Sequence, residues 1–144
     1  DECSSNFAIT DWAIRKCPKD TEWFVVTNGD NTYSPDAFDS LKWQPEDTDI
    51  VLLRFASRYG RLNRFKWREN KPPDCANLDE VIVPKVEIGH VELGALVLRF
   101  TRFIDENRFF SSLYPAKCVS LDWEMMAALS YAGWKHTISP PSAR

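Results

Sequence analysis

Several things this chain does without narrow what it can be. It has no C-x-x-C pair: Cys3, Cys17, Cys75 and Cys118 stand far apart, which argues against a zinc knuckle or a thioredoxin-like dithiol. Four cysteines suit two disulfides, and they equally suit buried free thiols in a reducing compartment; an oxidising lumen, in the secretory pathway or another organelle, is the expected setting. No apolar run approaches the ~20 residues a membrane helix needs, so no transmembrane segment is expected. Positive charge is not in excess. Lys and Arg number 18 against 21 Asp and Glu, a formal charge of −3, and with a pI near 5.4 this argues against nucleic acid as a partner, because such affinity comes from neutralising phosphates broadly. Internal repeats and low-complexity segments are absent. The first residue is Asp1 rather than Met, as expected if a leader, anchor or further domain has been removed.

What is present is core-forming material. Apolar residues make up 44% and aromatic residues 13%, with 6 Trp and 9 Phe, enough large side chains for one core, and 144 residues fit a single domain. Residues 5–17 place Phe7, Ile9, Trp12 and Ala13 at helical spacing, with Ser4 or Ser5 as the cap and Pro18 as the stop. Residues 22–27 are β-branched and aromatic without polar alternation, the pattern of a central strand buried on both faces. Ser34-Pro35-Asp36 opens a short helix through Phe38 and Leu41, and residues 49–55, DIVLLRF, form a second buried strand. Residues 60–80 are polar and read as a long loop.

Further on, residues 81–86 and 90–100 are expected strands, the second interrupted by Gly94, where a bulge or the close approach of another group is the usual cause. Residues 103–113, with Phe103, Ile104, Phe109 and Phe110, form a short helix or helical turn. A helix over 123–132 is capped by Ser120 or Asp122 and closed by Gly133. Strands alternating with helices imply an α/β layered fold. Between Arg54 and Lys71, Arg and Lys interleave with Phe, Tyr and Trp, either as a solvated face or as a surface that stacks on rings and binds anions.

The stretch that carries chemistry is Asn28-Gly29-Asp30-Asn31, directly after the strand at 22–27. In open α/β sheets ligands bind just beyond the carboxyl ends of strands. A carboxylate flanked by amide oxygens offers hard ligands for Mg²⁺ or Mn²⁺; the same residues also suit an Asx turn that caps the next helix. Asp122 and Glu124 at a helix start serve as cap and dipole partners or as a proton acceptor. His136, with only His90 as a second histidine, is a late metal ligand or a structural residue.

The order of helix, apolar strand, Asn28-Gly29-Asp30-Asn31, the Gly-bearing segment VELGALVLRF and the acidic helix start in LDWEMMAALSYAGWKH resembles the second half of a GT-A type glycosyltransferase. The resemblance runs over roughly residues 5–138 and implies a mixed central sheet with flanking helices, an incomplete Rossmann-like half. It implies that Asp30 matches the last acid of the family's metal motif. Asn28 stands where the first acid would be, which should weaken the metal site. Asn31 assists, Glu92 and Gly94 line the sugar site, Asp122 or Glu124 acts as base, and His136 completes the shell around Mn²⁺ or Mg²⁺. Trp134 or Trp67 would stack on a sugar ring.

The implied function is metal-dependent glycosyl transfer from a nucleotide sugar to a glycan or protein acceptor hydroxyl, with the nucleotide-binding half supplied by another segment or polypeptide. The alternative is a non-catalytic GT-A-like module that binds or supports a larger assembly, marked by an exposed row of Phe103, Phe109, Phe110 or Trp67. A lectin-like sugar binder is a third option.

Overall fold

Ile50-Val51-Leu52 has no polar residue, and all three side chains are buried, so this strand needs a partner on each edge and a cover on each face. A computed structural model of the protein, which describes residues 2–27, 29, 31–56, 81–87, 90–113 and 122–141 and only the backbone of 2–6, 113 and 123, shows what supplies them. β2 (Ile50–Leu52) pairs antiparallel with β5 (Leu96–Arg99) and parallel with β6 (His136–Ile138), and β1 (Trp23–Val25) pairs antiparallel with the far side of β5. The strand order is β1-β5-β2-β6, a mixed sheet with flanking helices. A separate ribbon joins β3 (Phe55–Ala56) to β4 (Val81–Ile82).

The expectation of a central strand at 22–27 is corrected. β1 is an edge strand among those described, and its three residues are half-buried. Side chains, one of them from β5 itself, cover its two faces. The Arg99 guanidinium lies over the Trp23 ring at 3.8 Å, and Phe24 meets Phe103 edge-on with centroids 5.0 Å apart.

Alternation along the strands splits the core in two. Ile50, Leu52, Leu96 and Leu98 face a helical layer containing Phe100, Phe103, Phe110, Met125, Met126, Leu129 and Trp134. Val51, Leu53, Ala95 and Val97 face the opposite way, onto Trp23, Val25, Tyr33, Leu41 and Phe55. Each fully buried large side chain contributes about 1.5–3 kcal/mol, so the helical layer carries most of the apolar stabilisation.

In that layer, α1 (Glu2–Arg15) packs on α3 (Phe110–Leu113). The buried side of α1 differs from the expected apolar stripe: Ile9 and Trp12 are 65% and 64% exposed, while Ile14 and Asp11 are buried. Asp11 replaces an apolar contact with a polar one. Its Oδ1 accepts from the Phe110 amide, and its Oδ2 accepts from the Ser111 amide at 3.1 Å and the Ser111 hydroxyl at 2.7 Å. A short helix has its first amides unpaired, and Asp11 satisfies them from another element.

The single helix expected at 103–113 is two, α2 (Phe100–Asp105) and α3, separated by a turn in which Asn107 takes φ +51°. Phe103 and Phe110 are fully buried while Phe109 is 37% exposed, so these three described phenylalanines do not form an exposed row. Trp67 lies outside the described residues, with the rest of 57–80. Of the short helix expected to open at Ser34-Pro35-Asp36, residues 35–38 are turns and Asp39–Trp43 is a 3-10 helix that includes Leu41. α4 (Asp122–Tyr131) closes as expected: Gly133, at φ +87°, bonds back to Ser130 O while Trp134 N reaches Leu129 O. Cys17 carries a free thiol directed at Ala13 O; the Cys3 side chain, Cys75 and Cys118 lie outside the described residues. No described helix is long and apolar enough to cross a membrane.

Candidate functional site

Strand register decides which candidate residues can meet. Val25 pairs with Val97, Leu52 with Leu96, and Leu52 with Ile138, so the carboxyl ends of β1, β2 and β6 lie along one edge of the sheet, together with the amino end of β5. This is the edge where loops that leave a sheet build ligand sites.

From β1 the chain enters a turn organised by Thr27. The Thr27 hydroxyl oxygen accepts from the Gly29 amide at 3.3 Å and from Asn31 Nδ2 at 2.8 Å. Gly29 takes φ +82°, a backbone state that a side chain would strain. Asn28 and Asp30 themselves lie outside the described residues.

Opposite this turn, Leu93–Ala95 forms a single 3-10 turn that feeds β5. Gly94 is buried, and a Cβ there would sit 2.2 Å from Asn31 Nδ2 and 2.9 Å from its Cγ, so the Asn31 amide fills the space a side chain would need. The Tyr33 hydroxyl donates to Gly94 O at 2.7 Å. From the far side, the Leu93 amide donates to Asp122 Oδ2 at 3.0 Å, which ties the start of α4 to the same turn. Glu92 and Glu124 are half-buried beside it in sequence. Arg54, two residues past β2, donates from Nε to Ser139 O at 2.9 Å and places a guanidinium on the same edge.

Asn31, Glu92, Gly94 and Asp122 are therefore brought to one edge, with Glu124 one turn or less into α4. Trp134 and His136 are not. His136 opens β6 opposite Ile50, at the other end of the sheet, where it is exposed. Trp134 is 3% exposed in the core, with Nε1 donating to Glu106 Oε2 at 2.9 Å. Thr27 and Tyr33 are additional contributors. Their signal in the sequence is proximity to Asn28–Asn31 alone, since neither residue type marks a site unaided.

The opposite edge holds a shallow cleft of about 470 Å³ lined by Glu46, Asp49, Arg99, Thr101, Arg102, Asp105 and Glu106. Its cations are engaged. Arg102 bonds Asp49 at 2.6 Å and Glu106 at 2.7 Å, and Arg99 donates to Thr48 O. Burial pushes the Glu106 carboxyl up, but hydrogen bonds from Arg102, Arg108 and Trp134 and the charge of Arg102 outweigh it and hold it at about 2. The Glu106 bond likewise raises Arg102 above its ordinary value, against the opposing effect of burial. Asp49 also accepts from the Lys135 amide at 2.9 Å. These groups satisfy one another and hold α2, β2 and β6 together, a structural arrangement.

Among the described residues no group of three or more His, Cys, Asp or Glu side chains is placed to hold a metal ion. No protein family, curated protein or solved structure matches the chain.

Proposed function

We propose that this chain carries the acceptor-side and metal-binding part of a metal-dependent glycosyltransferase of GT-A type. Asp30, assisted by Asn28 and Asn31, would hold Mn²⁺ or Mg²⁺, which would neutralise charge on the diphosphate of a nucleotide sugar. The acidic head of α4, Asp122 or Glu124, takes the proton of an acceptor hydroxyl. The bond from the anomeric carbon to the diphosphate would break as a bond to the acceptor oxygen forms, and a bound divalent ion would offset the charge of the departing diphosphate. Arg54 adds a positive charge on the side where the leaving group gathers negative charge.

The observation that supports this reading is the meeting of three separate segments: the turn carrying Asn31, the turn carrying Gly94 and the head of α4 join at the carboxyl ends of β1, β2 and β6. Those segments are the ones the order of motifs assigns to metal, sugar and base. Trp134 and His136 take no part.

The test is titration calorimetry of the complete protein with Mn²⁺ and a panel of nucleoside diphosphates. Metal-dependent binding is expected, and Asp30→Ala should weaken it by a factor of ten or more, as loss of a charged ligand implies. A flat titration of the wild-type protein with every nucleotide would defeat the proposal.

A further inference from the structure

The Glu92–Ala95 turn is held from two sides by groups distant in sequence. Asp122 accepts the Leu93 N–H at 3.0 Å, and the Tyr33 hydroxyl donates to the Gly94 carbonyl at 2.7 Å. The turn's own bonds, Ala95 N to Glu92 O at 3.0 Å and Leu96 N to Leu93 O, use the adjacent groups. The Leu93 amide and the Gly94 carbonyl are thereby left to Asp122 and Tyr33 as outside partners. With no side chain at 94, the Asn31 amide packs directly against the turn.

We infer that Asp122 and Tyr33 form a clamp that fixes the 92–95 turn and that Asp122 serves this site by positioning it, not as its base. The inference rests on the glycosyl-transfer reading for its catalytic half and on hydrogen-bond geometry alone for its structural half. Chemistry separates the two roles. An oxygen bonded to a backbone amide is stabilised in its charged form and is a weaker proton acceptor, whereas a base must offer a lone pair to the acceptor hydroxyl. Glu124, two residues on, stands about 200° around α4 from Asp122, on the side of the exposed Tyr131.

The conservative amide distinguishes the roles, because an Asn carbonyl oxygen still accepts the Leu93 N–H but cannot take a proton. In the complete protein, Asp122→Asn should cost at most about threefold in turnover and Asp122→Ala about tenfold or more with a raised donor KM. Two readouts do not depend on activity. The Leu93 amide proton should stay downfield in wild type and Asp122→Asn and move upfield in Asp122→Ala. The thermal midpoint should fall by about 3 °C in Asp122→Ala and in Tyr33→Phe and by less in Asp122→Asn.

Loss of turnover in Asp122→Asn equal to that in Asp122→Ala, with donor KM unchanged, would make Asp122 the base and overturn the assignment. An unmoved Leu93 amide in Asp122→Ala would overturn the clamp. If wild type transfers no sugar, the functional reading fails by itself, and the amide and melting data still decide the clamp.

Discussion

Gly94 and Asn31 are 63 residues apart in the chain and share one small volume. A methyl group at 94 would come within 2.2 Å of Asn31 Nδ2 and 3.3 Å of the Tyr33 hydroxyl, closer than packing allows, so Gly94→Ala must push the Asn31 side chain off Thr27. We expect this substitution to cost about 1–3 kcal/mol by urea denaturation. Adding Asn31→Ala should recover part of the loss, because the clash is with that one side chain. An additive double mutant would place the strain elsewhere. Asn31 after a strand and Asp122 at a helix start were legible, and the resemblance grouped Gly94 with them, although the sequence puts Gly94 inside a strand over 90–100 and it lies in the 3-10 turn before β5. Trp134 and His136 were not legible. Their placement depends on β6 running parallel to β2 and starting at His136, and no local pattern in WKHTIS reveals its pairing direction.

At the scale of elements, α3 has four residues, far fewer than an isolated helix needs, and its position depends on Asp11 of α1. Asp11→Ala leaves the buried Phe110 amide without its acceptor. A loss of about 1.5–3 kcal/mol is expected in equilibrium unfolding, with Asp11→Asn in between, since it keeps an acceptor and loses the charge. A change below about 0.5 kcal/mol would show that α3 is held by Phe110 packing alone. The α/β class and the helices at 2–15 and 122–131 could be read from apolar spacing, Pro18 and Gly133. Which face of α1 is buried could not, because the stripe through Ile9 and Trp12 looks apolar on paper while Asp11 turns inward for a hydrogen-bonding reason. The strand at 22–27 reads as central for a related reason: its aromatic residues are covered by Arg99 and Phe103, and composition does not distinguish a covering side chain from a covering strand.

For the whole molecule, the two ends of the sheet do different work: the Gly94 edge collects the candidate chemistry, and the Asp49–Arg102–Glu106–Trp134 edge holds layers together. Glu106 titrates near 2 when folded against 4.5 ordinarily. A depressed carboxylate stabilises the fold above its unfolded value and loses that contribution as the pH drops through the folded one, so stability should decline between about pH 5 and pH 2. With the side chain 31% exposed, solvent screening reduces the contribution to about 1–2 kcal/mol. Glu106→Gln should be less stable at pH 7 and flatter over that acid range in denaturant titrations; an unchanged acid slope would assign the effect to another carboxylate. The strand order carries one more implication, for how the chain is made. β5 separates β1 from β2, and β6 comes last, so the four-stranded sheet contains no pair that can close before Leu96–Arg99 has been synthesised. A nascent chain emerging from the ribosome therefore carries the first two strands of this sheet without their partners in it until that segment is out, and assembly of this sheet waits for its third strand.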